Sequence, residues 1–109
     1  MSEVVLDASA LLALLRDEPG AGKVADAIGA SRMSSVNYAE VVSHFIHAGM
    51  PAEQVDAMLR PLPMAIVEAD EALATIAGRL RAATADAGLS LGDRFCLALA
   101  RRDGLPALT

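Results

Sequence analysis

The apolar residues of the chain fall into short runs whose lengths alternate between those of strands and those of helices. The strand-like runs are Val4-Val5-Leu6, Met33 to Ser35, Met64 to Val67 and the start of a fourth at Pro106 to Thr109. Between them, apolar residues at helical spacing end at glycine or proline, which predicts helices. The predicted helices are Ala8–Arg16, Ala21–Ile28, Val36–Ala48, Ala52–Leu59, Asp70–Ala87 and Asp93–Arg102.

This alternation of strands and helices predicts an α/β fold. Strands joined by helical crossovers run parallel, and a parallel sheet buries both faces under its helices. The expected architecture is therefore a parallel sheet of about four strands with helices on both faces. No linker, repeat or low-complexity segment interrupts the pattern, so residues 1–109 are expected to form a single domain.

Composition excludes several classes of protein. With 54% hydrophobic residues, the chain is too apolar for a disordered protein. The longest apolar run, Ala8 to Leu15, is far shorter than the roughly 20 residues of a membrane-spanning helix. The single cysteine, Cys96, cannot form an intramolecular disulfide, and the amino terminus is acidic where a signal peptide is basic. These features predict a cytoplasmic protein without a membrane anchor.

The net charge of −5 is unevenly distributed. Residues 1–72 carry 4 basic and 11 acidic groups, whereas residues 73–109 carry 5 basic and 3 acidic groups. This balance excludes a uniformly basic nucleic-acid binder but leaves an arginine face near the carboxyl end for phosphate. With 3% aromatic residues, base stacking is not expected to dominate recognition.

Three acidic residues share one kind of position, the beginning of a predicted helix. Asp7 directly follows the first strand, Glu40 lies early in the helix after the second, and Asp93 opens the last helix. In parallel sheets ligands bind beyond the carboxyl ends of the strands, where these acids are expected to meet. Clustered carboxylates repel each other unless a cation neutralises them, and Mg²⁺ or Mn²⁺ prefers such oxygen ligands.

Structural roles also explain these acids. Asp7 has the position of a helix N-cap, and a first-turn glutamate such as Glu40 is favoured by the helix dipole. Ser90 and Asp93 have the spacing of a capping box. Gly92 needs a separate explanation, because glycine in a helix costs up to about 1 kcal/mol relative to alanine.

Other motifs compete with the acidic site. Gly20 to Ala25 matches G-x-G-x-x-A, a dinucleotide-binding pattern, but follows a predicted helix instead of a strand. Glu40, His44 and His47 are spaced so that they could share a helix face as zinc ligands, although no further ligand cluster supports zinc. The two histidines are more simply explained as a partly buried group and a surface group. No Gly-x-Ser-x-Gly motif for a serine hydrolase is present.

Three segments of the sequence resemble those of a known family. Val4 to Leu12 is similar to the opening of PIN domains, and most closely of the VapC ribonuclease toxins of bacterial toxin–antitoxin pairs. Ser34 to Val41 resembles the second acidic motif of that family, and Leu89 to Ala100 resembles the third. The three segments stand in the family's order and span nearly the whole chain.

The resemblance implies a magnesium-dependent (or manganese-dependent) endoribonuclease with a PIN-like α/β/α fold. Such an enzyme would hydrolyse RNA by a metal-activated water, with Asp7, Glu40 and Asp93 as the catalytic and metal-binding acids. Ser9 and Asn37 fall at polar positions close to that site. The resemblance also implies a homodimer that is held inactive by a cognate, VapB-like antitoxin protein.

One departure from the family pattern concerns the carboxyl end. Family members continue beyond the position of Thr109 into a further acid, a helix and a strand, so the carboxyl-terminal part of the domain is expected to be missing from these 109 residues. Two alternatives therefore stay open. One is a non-catalytic PIN-like module that binds an antitoxin or a second copy of itself, and the other is a nucleotide-binding domain that uses Gly20 to Ala25.

Overall fold

The computed structural model describes residues 3–109. Its strands are β1 (Val4–Leu6), β2 (Ser31–Ser34), β3 (Ala65–Val67) and β4 (Ala107–Leu108). Its helices are α1 (Ala8–Leu15), α2 (Ala21–Ala27), α3 (Ser35–His47), α4 (Ala52–Leu59), α5 (Glu71–Thr84) and α6 (Leu91–Asp103). Short 3-10 turns follow α2 and α5, at Ile28–Ala30 and Ala85–Ala87. Among the described residues, no helix is both long enough and apolar enough to cross a membrane.

The four strands form one parallel sheet in the order β3-β2-β1-β4. The central strand β1 pairs with β2 through Val4 and Val5 and with β4 through Val5 and Leu6. Because all strands run the same way, their carboxyl ends lie at one edge of the sheet, where α1 and α3 begin. The predicted α/β fold with a four-stranded parallel sheet is therefore confirmed.

Helices cover both faces of this sheet, as predicted. Successive residues of a strand point to opposite faces, and Val5 and Leu6 of β1 accordingly belong to two different buried clusters. The cluster around Leu6 is contributed mainly by α1 to α4 and contains Leu11, Met33, Val41, Phe45 and Val55. The cluster around Val5 is contributed by α5 and α6 and contains Leu73, Ala77, Phe95, Ala98 and Leu99. The result is a three-layer α/β/α arrangement.

The second strand begins earlier than its apolar residues predict, at Ser31 instead of Met33. Ser31 is buried in spite of its hydroxyl because that hydroxyl donates to the Ile28 carbonyl over 2.8 Å. The strand also ends earlier, and α3 begins at Ser35 because Ser34 is its N-cap and accepts from the backbone N–H of Asn37.

Ion pairs fasten the end of α6 to the amino end of the sheet. Asp103, the last residue of α6, accepts from Arg32 of β2 over 2.8 Å and from Arg102 over 2.9 Å. Arg32 also pairs with Glu3 at 2.7 Å. The hydrogen bonds from Arg102 and then Arg32 hold the pKa of Asp103 below its ordinary value. This network fixes one end of α6, whose other end contributes to the candidate site.

Candidate active site

A cleft of about 260 Å³ lies at the carboxyl ends of β1 and β2. Its lining includes Asp7, Glu40 and Asp93, from the junction of β1 with α1, from α3 and from the first turn of α6. The other lining residues are Ala8, Ser9, Leu12, Asn37 and His44. The structure thus brings the three acids of the sequence analysis to one place, together with both polar residues, Ser9 and Asn37, that the resemblance places nearby.

Asp7 is the buried acid of the cleft, with 7% of its surface exposed. It is the N-cap of α1, and its Oδ1 accepts from the backbone N–H of Ala10 over 2.9 Å and from the Ser9 hydroxyl over 2.8 Å. The capping role considered from the sequence is therefore real. It uses only Oδ1, so that within residues 3–109 Oδ2 has no hydrogen-bond partner. The Asp7 side chain can therefore cap α1 through one oxygen and still offer the other oxygen to a ligand in the cleft.

Glu40 is exposed, and Asn37 orients its carboxylate. One hydrogen of the Asn37 amide is donated to Glu40 Oε1 over 2.9 Å, and the other to the Gly92 carbonyl over 3.0 Å. The Asn37 Oδ1 accepts from the Ser34 hydroxyl over 2.6 Å. Asn37 is 1% exposed and links β2, α3 and α6 in this way.

Asp93 forms a complete capping box with Ser90. Its Oδ2 accepts from the Ser90 backbone N–H over 2.9 Å, and the Ser90 hydroxyl accepts from the Asp93 backbone N–H over 3.1 Å. The capping box predicted from the spacing is present, although α6 begins at Leu91 instead of Asp93. In residues 3–109, Oδ1 of Asp93 makes no hydrogen bond. Each of the three acids is thus held by one oxygen and presents the other.

The close approach of Glu40 to the α6 backbone explains Gly92. A Cβ on Gly92 would overlap with the carboxylate of Glu40, so no larger residue fits while Glu40 keeps its position. The glycine that weakens the first turn of α6 therefore makes room for an acid of the cleft. The sequence shows that Gly92 needs a reason, but not that Glu40, 52 positions earlier, supplies it.

Cys96 is a buried neighbour of the acids and borders, with Asp7 and Asp93, a second small cleft of about 120 Å³. Burial raises the pKa of the Cys96 thiol to about 12, and the negative charges of Asp7, Asp93 and Glu40 contribute in the same direction. The thiol is therefore protonated at neutral pH and is not a nucleophile.

His44 also lines the cleft, although the sequence predicts only a partly buried group there. It lies one helical turn after Glu40 on α3 and is half-buried in the cleft, whereas His47 is exposed and does not line it. The i, i+4 spacing of Glu40 and His44 is the one signal in the sequence that places both side chains on the same face of α3.

The competing motif and the arginines lie elsewhere. Gly20 is the N-cap of the seven-residue α2 and comes after α1, so the Gly20 to Ala25 segment lacks the preceding strand of a dinucleotide-binding motif. The arginines Arg79, Arg101 and Arg102 line another cleft, of about 340 Å³, between α5 and α6. Their expected contact with RNA stays a prediction.

The metal-ligating groups that the cleft offers fit a divalent cation only in part. Three carboxylates, each with a free oxygen, are the hard oxygen ligands that Mg²⁺ and Mn²⁺ prefer. Yet across residues 3–109 no group of three or more His, Cys, Asp or Glu side chains is arranged to hold a metal ion. Mg²⁺ itself usually keeps several waters and takes only one or two carboxylates directly.

Comparisons with known proteins agree with this architecture. The sequence model of the PIN domain family matches residues 4–109. No curated protein matches the chain significantly. A toxin–antitoxin complex from Klebsiella pneumoniae is similar in structure, with a TM-score of 0.76 at 20% sequence identity over 97% of this chain and 84% of that chain. The sarcin-ricin-loop-cleaving toxin VapC20 of Mycobacterium tuberculosis has a TM-score of 0.74 at 14% identity, over 94% and 84%.

Proposed function

The chain belongs to the PIN domain family, and from that premise we propose that it is a metal-dependent endoribonuclease, the toxin of a toxin–antitoxin pair. One observation carries the proposal. Three carboxylates from distant parts of the sequence line a single cleft, and each keeps one oxygen free of hydrogen bonds within residues 3–109. A purely structural set of caps would not need to face one cleft.

In this proposal Asp7 and Asp93 hold an Mg²⁺ or Mn²⁺ ion, and Glu40 completes its ligand shell directly or through water. A bound ion of this kind supplies an acidified water molecule and neutralises charge on the phosphodiester. The protein's own part is to hold the acids in place. Ser9 and the start of α1 fix Asp7, Asn37 fixes Glu40, and Ser90 fixes Asp93.

Metal binding gives the first test of this function. An ion that binds only the folded protein raises the free energy of unfolding by RT ln(1 + [L]/Kd), about 2.7 kcal/mol at 100 times Kd. We expect millimolar Mn²⁺ or Mg²⁺ to raise the melting temperature and to support cleavage of an RNA oligonucleotide, and EDTA to abolish both effects. Melting curves and gel electrophoresis measure these effects. The control is Asp86→Asn, which removes an exposed carboxylate outside the cleft and should respond to metal like the wild type.

Two outcomes would count against the proposal. An unchanged melting temperature with metal, together with a rise on Asp7→Asn, would mean that the acids repel each other without binding an ion. Metal binding without RNA cleavage would favour the non-catalytic PIN-like module.

The proposed partner is a VapB-like antitoxin, and we propose a homodimer as the assembly that it binds. Leu12 lines the acidic cleft next to Asp7, and Leu12, Leu14 and Leu15 of α1 are only half-buried. Apolar surface beside carboxylates suits an amphipathic segment that carries a basic side chain. The similar structure from Klebsiella pneumoniae is a toxin–antitoxin complex, which supports this kind of partner.

A synthetic amphipathic helical peptide with one arginine tests the partner surface. We expect it to bind beside Asp7, and its affinity to fall with salt because exposed charges are screened over about 8 to 10 Å at physiological ionic strength. Isothermal calorimetry of the peptide and of its Arg→Gln version measures the charge contribution. Equal affinity of the two peptides at low salt would contradict an arginine contact with the acids.

A further inference from the structure

The acidic cleft offers few side-chain hydrogen-bond donors to a substrate. RNA phosphates present only acceptor oxygens, and three carboxylates repel them, so a substrate needs N–H or O–H groups from the protein besides any cation. Of the eight lining residues, only three have side chains that can donate when the acids are ionised: Ser9, Asn37 and His44.

Two of these three donors are already used within the protein. The Ser9 hydroxyl has a single hydrogen, and it is donated to Asp7 Oδ1 over 2.8 Å. The Asn37 amide has two hydrogens, donated to Glu40 Oε1 and to the Gly92 carbonyl. Both side chains therefore orient the acids and have no hydrogen left for a substrate.

His44 is the remaining donor. Over residues 3–109 its side chain takes part in no hydrogen bond or ion pair, although the residue is half-buried in the cleft. Its ring lies edge-to-face with that of the buried Phe45, with centroids 5.2 Å apart and an interplanar angle of 89°. It also shares a helix face with Glu40, one turn away, so it is placed on the same side of the cleft as that acid.

We propose that His44 binds the RNA substrate, donating its imidazole N–H to a non-bridging phosphate oxygen next to the bond that is cut. This inference rests on the proposed ribonuclease function and names a substrate contact of the same site. Phosphate contacts position a nucleic acid without reading its sequence. The contribution of His44 should therefore be the same for RNA substrates of different sequence.

Steady-state cleavage of short RNA oligonucleotides at saturating Mn²⁺ tests the inference. A hydrogen bond to a charged group is worth roughly 10- to 100-fold in affinity, so His44→Leu is expected to raise KM by about that factor with little change in kcat. His44→Gln, which keeps an N–H donor, should recover part of this loss. His47→Leu, on the same helix but outside the cleft, is the matched control and should leave KM unchanged. KM and kcat of His44→Leu within twofold of wild type would overturn the inference.

A second measurement does not depend on the folding of His44 variants. It also separates this inference from the proposed function. In Asp93→Asn, the NMR signals of the His44 imidazole should shift when an RNA oligonucleotide is added, while those of His47 stay constant. Unchanged His44 signals with bound RNA overturn the inference alone. If wild-type protein binds RNA with a His44 shift but never cleaves it, the proposed function fails and the His44 contact stands. If it neither binds nor cleaves RNA, both fail.

Discussion

Asp93→Asn is expected to reduce RNA cleavage by about 100-fold or more while leaving the fold intact. Changes to residues that only support a metal ligand already cost 10- to 100-fold, and this change removes the charge of a proposed ligand itself. The asparagine side chain still has an oxygen that can accept from the Ser90 backbone N–H, so the capping box survives. Initial rates of RNA cleavage and the melting temperature, measured on the same preparation, test both halves of the expectation.

The converse variant, Ser90→Ala, separates capping from chemistry at this position. It removes the hydroxyl that accepts from the Asp93 backbone N–H and should cost about 0.5 to 2 kcal/mol of stability. Because the Asp93 carboxylate remains, cleavage well below the melting temperature should persist. If Asp93→Asn cut RNA at the wild-type rate, or Ser90→Ala lost activity as fully as Asp93→Asn, the role of Asp93 would be structural.

Gly92→Ala is expected to raise the free energy of unfolding and yet to lower the rate of RNA cleavage. Alanine is favoured over glycine in a helix by about 0.8 to 1.0 kcal/mol, so α6 itself should gain stability. The new Cβ takes the place of the Glu40 carboxylate, which is the end of a flexible, exposed side chain and can move away at little cost. With Glu40 displaced from the cleft, we expect cleavage to fall about 10- to 100-fold, as for other groups that orient a metal site.

Gly78→Ala is the matched control for this variant. Gly78 lies inside α5, and a Cβ there meets no atom within 4 Å among the described residues. It should give a similar gain in melting temperature with unchanged activity. A Gly92→Ala protein with wild-type cleavage would show that the position of Glu40 does not matter for the reaction.

Much of the fold could be predicted because its apolar runs are short and cleanly ended. Asp70, where the sequence predicts a helix to begin, is the N-cap of α5, and α6 ends at Asp103, one residue beyond its predicted end at Arg102. The errors occur where tertiary contacts override local preference. Arg32 lies within β2 because its guanidinium reaches Asp103 and Glu3, and neither partner is visible from the strand's own sequence. The last turn before Gly88 is 3-10 instead of α-helical.

The candidate site was only partly predictable, for a related reason. The acids could be placed at one edge from topology, because Asp7 and Glu40 follow the first two strands and all three acids lie in the early part of a helix or at its N-cap. The role of Gly92 depends on which groups meet across α3 and α6, and a linear sequence does not contain that pairing. In the structure the Asn37 amide joins the two helices, since it donates one hydrogen to Glu40 of α3 and the other to the Gly92 carbonyl of α6.

The contact between Asn37 and the Gly92 carbonyl also bears on how the protein is made. It joins residues 55 positions apart, so the walls of the cleft leave the ribosome at different times. A growing chain that ends before Asp93 already contains Asp7 and Glu40 but has no α6 to close the cleft around them. Contacts over such separations must also overcome a larger loop-closure entropy and form late. If the chain is the ribonuclease proposed above, this order of assembly leaves the nascent chain without a complete acidic cleft until α6 has been made.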